Sequence, residues 1–241
     1  MRDPFERGKA WFLYSKLEDD FIRTTPYVAL ESVHSNVWSE RFGELLARTG
    51  DLVDSFFRLM VNSKSLDNEI PIKNLRVKII KEQETNPNWF PKINDFRATF
   101  NPIFQLSSVE VEADYGLTYY GRLQPFKGFD KQGPSWWNPY NKVRHEIFEQ
   151  IEKKATLENA INALASLFAL NILHKESQGY LIKYQNVIVC DYMKSMPKEQ
   201  ILQSFKASKI GIPKTVGSYN FRAATRLFTH TFRIDKQADA V

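Results

Sequence analysis

The stretch TLENAINALASLFALNIL, residues 156–173, decides the fold class of this chain. Its alanines and leucines lie on more than one face of a helix, which is typical of a helix surrounded by protein on all sides. The alanines allow a neighbouring helix to approach closely. Thr156 belongs to the residue types that cap helix N-termini. We therefore expect a buried central helix within a mainly α-helical bundle.

Other segments extend this bundle. Apolar residues recur at three- and four-residue steps over residues 39–61, which predicts an amphipathic helix capped by Ser39. Shorter helices are expected over residues 9–22 and 72–81. A helix of three to four turns is expected from Asn138-Pro139 to about residue 154, because Asn is a favoured N-cap and Pro fits the first helical position.

The middle and the end of the chain differ from this helical pattern. Between residues 107 and 124, apolar positions alternate on either side of Tyr115-Gly116, which predicts a β-hairpin that packs on the helices. Residues 180–190 read as a strand pair or a strand and a turn, 197–207 as a short helix and 227–234 as a strand. The proline- and asparagine-rich residues 85–95 indicate a structural break.

These elements predict one helical domain over residues 1–241, with two additions. Residues 85–133 form an insertion that contains the hairpin, and residues 179–241 form a mixed α/β C-terminal elaboration. With 241 residues and 43% hydrophobic content, the chain can bury the core of one such domain.

Composition narrows the classes of function. The net charge of +5 favours an acidic partner such as RNA or DNA, although 33 basic residues are scattered among 28 acidic ones, as on an ordinary solvated surface. The single cysteine, Cys190, excludes an internal disulfide framework and is expected to be a buried thiol.

Several motifs are absent from the sequence. No histidines have the paired spacing of a zinc site, and no phosphate-binding loop is present, so we expect neither a metal nor a cofactor. No apolar run approaches the roughly 20 residues of a membrane span, and no signal peptide is recognisable at the N-terminus. We expect a cytoplasmic protein with no membrane partner.

The candidate site lies on the helix expected after Asn138. On a helical wheel, Tyr140 and Val143 belong to its buried stripe, Arg144 falls inside that stripe, and Asn141 and His145 lie along its edge. A guanidinium keeps its charge when buried, so Arg144 must extend to solvent, meet a carboxylate or face a polar cleft that binds an anion.

Two interpretations of these residues stay open. In the first, His145 transfers a proton, Arg144 stabilises charge on a phosphate and Asn141 orients its partners, which together suit RNA cleavage without a metal. In the second, the neighbouring Trp136 and Trp137 pack the hairpin against the helices, and His145 is a boundary residue of a structural network.

A resemblance rests on these same residues. The segment WWNPYNKVRH, residues 136–145, followed by ATLENAINALASLFAL, resembles a group of prokaryotic proteins with a WWxxYNKV(K/R)H signature. More distantly, it is similar to the HEPN superfamily of helical ribonucleases and nucleotide-binding domains. The HEPN motif is an arginine, often followed by asparagine, with a histidine some residues later. Asn141 and His145 match this motif, whereas Tyr140 stands at the position of the family arginine.

The resemblance implies a HEPN-like helical bundle, a homodimer through the helical pair 139–174 and a role in RNA processing or defence. The resemblance gives catalytic roles to His145 and Asn141, and Arg144 would join them in place of the family arginine only if it reaches the same phosphate. Tyr140 and Lys142 are the candidates on this helix for RNA contacts. The alternative is a non-catalytic scaffold that binds nucleic acid or protein.

Two arginines near the C-terminus are further candidates for RNA contacts. Arg222 and Arg226 alternate with aromatic residues in SYNFRAATRLFTHTFR, so they can contact phosphates while the aromatics stack on bases. The same residues are also compatible with a packed terminal strand whose arginines are exposed to solvent.

Overall fold

The computed structural model describes residues 8–190, 196–206 and 221–232, and the chain is mainly α-helical with one antiparallel sheet. The helices are α1 Lys9–Ile22, α2 Glu40–Val61, α3 Ile70–Thr85, α4 Ile93–Phe104, α5 Trp137–His145, α6 Ile147–Lys154, α7 Leu157–Leu173, α8 Lys175–Tyr180 and α9 Lys198–Lys206. The strands are β1 Val111–Tyr115, β2 Thr118–Leu123, β3 Ile188–Cys190, β4 Phe221–Ala224 and β5 Phe228–Phe232. Short 3₁₀ turns cover Ser32–His34, Lys64–Leu66 and Leu106–Ser108.

Helix α7 lies at the centre of the core, as its sequence predicts. Every residue of α7 except Glu158 and Asn159 is buried, and α1, α2, α5 and α8 pack around it. Thr156 caps the helix by accepting a hydrogen bond of 3.3 Å from the backbone N–H of Asn159. Ser39 likewise caps α2, with 3.1 Å between its Oγ and the backbone nitrogen of Phe42. Both predicted caps are confirmed.

The N-terminal half follows the predicted order of elements, with one additional helix. Helix α1 has the expected bounds, and the break predicted over residues 85–95 separates α3 from α4. Helix α4 is absent from the predicted elements, because proline and asparagine dominate the residues before it and Pro102 lies inside it. The sequence pattern that could have indicated α4 is the pair Phe96 and Phe100, which are four residues apart. Their rings each lie 5.2 Å from the ring of Phe57 on α2.

The helix predicted to start at Asn138 and to continue to residue 154 is wrong in two respects. Its N-cap and first helical residue are Trp136 and Trp137, two positions before the predicted Asn138 and Pro139, and the carbonyl of the buried Trp136 accepts the first helical bond, from Tyr140. It is also interrupted at Glu146, which has φ −132° and ψ 45° and separates α5 from α6.

Two glycines of α2 give the physical reason for this interruption. The ring of Tyr140 packs on Gly50, and Ile151 packs on Gly43. Along α2 these glycines are about 10 Å apart, whereas an unbroken helix would separate Tyr140 from Ile151 by about 16 Å, at about 1.5 Å per residue. The break at Glu146 lies between these two contacts, where it can accommodate the difference in spacing.

The strands form one antiparallel sheet with the order β2-β1-β5-β4-β3. The predicted hairpin is confirmed as β1 and β2, and Tyr115 pairs with Thr118 at the turn. Strand β1 also pairs with β5, where Glu112 lies opposite Thr229. The predicted insertion and the predicted C-terminal elaboration therefore share a sheet, which stabilises a hairpin that would be marginal alone.

For residues 180–190, the predicted strand pair is wrong, whereas the alternative of one strand and a turn agrees with the structure. Only β3 is extended, while Leu181–Gln185 forms a π-helical turn that ends at Asn186 with φ 53°. Helix α9 and strand β5 lie within their predicted ranges, although residues 207 and 233–234 of those predictions lie outside the described residues. Cys190 is buried as a free thiol, as expected. Within the described ranges, no helix is long and apolar enough to cross a membrane.

Candidate functional site

Helix α5 is anchored at its start by Trp136. The indole Nε1 of Trp136 lies 2.9 Å from both the carbonyl oxygen of Pro125 and the Oγ of Ser166 on α7, and donates to them. The Trp137 ring lies 5.4 Å from that of Trp136 and 5.1 Å from that of Tyr140. The two tryptophans therefore join the segment after β2 to α5 and α7, which is the architectural role that the second interpretation gives them.

Tyr140 connects α5 to α2 through both its ring and its hydroxyl group. Its ring packs so closely on Gly50 that a Cβ at this glycine would overlap the tyrosine Cδ2. Its hydroxyl donates a hydrogen bond of 2.7 Å to Oδ1 of Asp51. Tyr140 is 1% exposed, so its ring is not accessible for contacts with RNA bases.

Arg144 completes a three-residue cluster with Tyr140 and Asp51. Its Nη1 lies 3.0 Å from the Tyr140 hydroxyl and 3.3 Å from Oδ1 of Asp51. The sequence allows three possible surroundings for this arginine: solvent, a carboxylate or a polar cleft. The structure shows a carboxylate, that of Asp51, and half of the Arg144 side chain remains exposed to solvent. It therefore lies at the surface and not within the buried stripe, because the guanidinium extends past Tyr140 to Asp51.

The electrostatics of the cluster keep the tyrosine protonated. Burial, followed by the hydrogen bond and the charge of Asp51, raises the pKa of Tyr140 well above its ordinary value. Arg144 acts in the opposite direction but does not offset these effects. The hydroxyl of Tyr140 is thus a fixed donor to Asp51, and Asp51 in turn holds the guanidinium of Arg144.

The remaining candidates on α5 differ in exposure. His145, the last residue of α5, is exposed, whereas Asn141 and Lys142 are half-buried. Among the described residues, none makes a hydrogen bond or ion pair with the His145 side chain. His145 thus follows the oriented Arg144 directly in the sequence, at the exposed end of α5, and Asn141 lies one helical turn before His145.

The two C-terminal arginines lie away from α5. Arg222 is an exposed residue of β4 opposite Thr231, and Arg226 lies in the β4–β5 turn, where it pairs with Asp19 of α1. That turn is fixed to α1 by Glu18, whose carboxylate accepts hydrogen bonds from Tyr14, Thr225 and the backbone of Leu227. Arg226 therefore belongs to a structural contact between α1 and the sheet.

A buried polar cluster that the sequence does not indicate joins α8 to the end of α2. Glu176 accepts hydrogen bonds from the hydroxyls of Ser63 and Ser65, at 2.5 and 2.6 Å, and from the backbone N–H of Ser65. The Nε2 of His174 lies 3.0 Å from Oε2 of Glu176 and 3.1 Å from Oγ of Ser63. No sequence signal relates these residues, because about 110 positions separate the serines from the other two.

This serine–histidine–glutamate cluster does not have the geometry of a hydrolase. A catalytic triad uses one ring nitrogen for the serine and the other for the carboxylate, whereas here Nε2 of His174 faces both Ser63 and Glu176. His174 is also completely buried. Burial raises the pKa of Glu176, but the charge of His174 and the serine hydrogen bonds outweigh burial, so the pKa is lowered.

The comparisons with known proteins identify no relative. No protein-family model matches the chain, and neither the curated proteins nor the solved structures contain a significant match. In the described part of the chain, no group of three His, Cys, Asp or Glu side chains could hold a metal ion. The geometry of α5 and its surroundings is therefore the basis for a functional assignment.

Proposed function

We propose that the protein is a HEPN-like, metal-independent RNA-processing protein whose reactive surface is the exposed end of α5. The observation that supports this proposal is that two consecutive residues at the end of α5 are open to solvent: the exposed His145 and the half-exposed Arg144, whose guanidinium is oriented by Asp51 and Tyr140. A histidine can accept the ribose 2′-hydroxyl proton near neutral pH, and an arginine can stabilise charge that develops on the phosphate.

The proposed homodimer would involve only part of residues 139–174. Helix α7 is covered by its own chain, so it offers little surface to a second copy. Helices α5 and α6 are more open, and Phe148 of α6 is 99% exposed. Contact through this surface would bring two copies of His145 near each other. A role in defence is part of the same proposal and rests on the resemblance.

Cleavage of single-stranded and structured RNA in EDTA tests the catalytic role. His145→Ala and His145→Gln should each lose cleavage by about 100-fold or more, the lower end of the usual contribution of general acid–base catalysis. Glutamine retains hydrogen bonding without proton transfer, so RNA binding should persist in that variant. Lys153→Ala, an exposed change on α6, is the matched control. Equal cleavage by His145→Ala and the wild-type protein would refute the assignment.

A non-catalytic scaffold that binds nucleic acid or protein is the second candidate. Two observations favour it: Arg144 is already paired with Asp51, and the buried Tyr140 stands where the HEPN motif has its arginine. RNA binding that weakens with salt and is never followed by cleavage would support this candidate, because phosphate contacts release counterions.

A further inference from the structure

A cleft of about 320 Å³ lies between α8, the π-helical turn Leu181–Gln185 and α9. Its lining includes three lysines and two tyrosines: Lys175, Lys183, Lys206, Tyr180 and Tyr184. Its volume is at the lower end of the range of roughly 300–1,000 Å³ for small-molecule sites, which suits a ligand the size of one nucleotide. We refer to it as the lysine–tyrosine cleft. None of its residues belongs to α5.

The charge of the cleft is positive. Among the described residues, no carboxylate forms an ion pair with any of the three lysines. Glu176 also borders the cleft, but both of its oxygens are occupied by the Ser63, Ser65 and His174 cluster. Burial lowers the pKa of Lys175, although Glu176 and Glu69 act against this shift. Glu176 and Glu69 thus lie near Lys175, whereas no carboxylate of the described residues pairs with Lys183 or Lys206, which leaves these two lysines available to an anion.

The aromatic side of the cleft combines a fixed ring with an open one. Tyr180 packs so closely on Gly8, where α1 starts, that a Cβ at this glycine would overlap the tyrosine Cζ, and Gln185 donates a hydrogen bond of 3.1 Å to its hydroxyl. The Tyr184 ring lies 5.4 Å from that of Tyr180, and Tyr184 is 68% exposed. An open tyrosine beside lysines is the usual combination for stacking a base while holding its phosphate.

The backbone of this segment is also unusual. Tyr184 and Lys183 lie in the π-helical turn, a rare conformation that is found frequently at functional sites. Asn186 ends the turn in the left-handed region, at φ 53°, which asparagine tolerates better than most residues. This turn places Tyr184 and Lys183 on the border of the cleft.

We propose that the lysine–tyrosine cleft binds a nucleotide unit of single-stranded nucleic acid, with its base on Tyr184 and its phosphate between Lys183 and Lys206. An acidic peptide would use the lysines but would leave the exposed tyrosine without a role. The site would act in binding only, and it does not depend on cleavage at α5.

Fluorescence anisotropy of a short labelled single-stranded RNA in EDTA tests this site. Tyr184→Ala should weaken binding at least about fivefold, the lower end expected when one base stack is removed, and Tyr184→Phe should retain wild-type affinity. The plot of log affinity against log salt has a negative slope. In the Lys183→Ala/Lys206→Ala variant this slope should become shallower by about 0.7 for each phosphate that the protein no longer neutralises. A nucleoside monophosphate should compete at lower concentration than inorganic phosphate.

Matched controls make these outcomes decisive. Tyr119→Ala removes an exposed tyrosine from β2, and Lys153→Ala removes an exposed lysine from α6. Equal RNA affinity for Tyr184→Ala and Tyr119→Ala would overturn the proposal, as would equal competition by inorganic phosphate and the nucleoside monophosphate. The altered side chains are largely exposed, so thermal melts should coincide with that of the wild type.

The same variants separate this site from the proposed function. Weakened binding in the cleft variants, with no RNA cleavage by the wild-type protein, would support the cleft and remove the catalytic role of His145. Cleavage that requires His145, together with RNA binding by all cleft variants equal to that of the wild type, would support the catalytic role of His145 and overturn the binding site in the cleft.

Discussion

Arg144 and Asp51 form an ion pair between α5 and α2, with 3.3 Å between Nη1 of the arginine and Oδ1 of the aspartate. The hydroxyl of Tyr140 lies between them and bonds to both, at 3.0 Å from Nη1 and 2.7 Å from Oδ1. Asp51 therefore orients the guanidinium that the proposed chemistry needs, and also competes with any phosphate for it.

Removing the charge of Asp51 should strengthen RNA binding. Asp51→Asn keeps an acceptor for the hydroxyl of Tyr140 but frees Arg144 for a phosphate, so we expect the dissociation constant to fall about threefold, the effect of roughly 0.6 kcal/mol. Because the pair is half exposed, the free energy of unfolding should change by no more than about 1 kcal/mol. Anisotropy with labelled RNA and urea melts measure these effects.

Glu44→Gln is the matched control for this change, because it removes the same charge from α2 at a residue that pairs with Arg41. If both variants change RNA affinity equally, the effect comes from the loss of a negative charge on α2 and not from the release of Arg144.

Tyr140 cannot be exchanged for the arginine of the HEPN motif. Tyr140→Phe loses the hydroxyl bonds but keeps the packing on Gly50, so we expect a loss of about 1–2 kcal/mol in the free energy of unfolding. Tyr140→Arg places a charge at a position that is 1% exposed, and should cost more than about 3 kcal/mol without any gain in RNA cleavage. Urea denaturation distinguishes the two variants. Equal stability would show that the site tolerates a guanidinium.

Gly50 is required by the ring of Tyr140. In Gly50→Ala, the new methyl group would overlap three ring atoms, and the overpacking outweighs the gain of about 1 kcal/mol in helix propensity. We expect the melting temperature to fall by about 2–8 °C. Gly179→Ala on α8 is the control, because its methyl group would meet nothing within 4 Å, and its melting temperature should stay the same or rise. A Gly50→Ala protein as stable as the control would contradict the close packing.

Stability should depend on pH through Glu176. Its folded-state pKa is lowered by His174, Ser63 and Ser65 against the effect of burial, so the stabilisation is present above the unfolded pKa of about 4.3. It is lost as pH falls through the folded-state value. Glu176→Gln should therefore destabilise the protein by about 1.5–3 kcal/mol at pH 7, and the difference from wild type should shrink below about pH 4.

Urea denaturation at about pH 7 and about pH 3.5, on either side of the unfolded pKa, measures this difference. Glu152→Gln on α6, an exposed carboxylate, is the control and should show no such pH dependence. A constant difference between Glu176→Gln and the wild type at both pH values would show that the carboxylate charge is not the source of the stabilisation.

Local signals in the sequence are sufficient for most helices. The caps Ser39 and Thr156, and the apolar periodicity behind them, depend only on nearby residues, and both helices form where the pattern predicts. The hairpin around Gly116 is predictable for the same reason. The sequence does not indicate the π-helical form of the turn at residues 181–185, because isoleucine and tyrosine in this segment favour a strand when tertiary contacts are unknown.

The candidate site shows the limit of such signals. Residues 136–145 and the anomaly of Arg144 are visible in the sequence, but the partner Asp51 lies 93 positions earlier and no local pattern connects the two. The lysine–tyrosine cleft and the cluster of Ser63, His174 and Glu176 escape prediction for the same reason, because their residues come from segments that only the folded chain brings together.

The residue order alone thus sets where helices α2 and α7 and the β-hairpin form, since caps, periodicity and turn residues act within a few positions of each other. The tertiary structure decides the rest. Tyr140 of α5 packs on Gly50 and Ile151 of α6 packs on Gly43, with the break at Glu146 between them, and Asp51 holds the guanidinium of Arg144 at the surface. These outcomes depend on distances between helices, which close packing sets only when the whole core has formed.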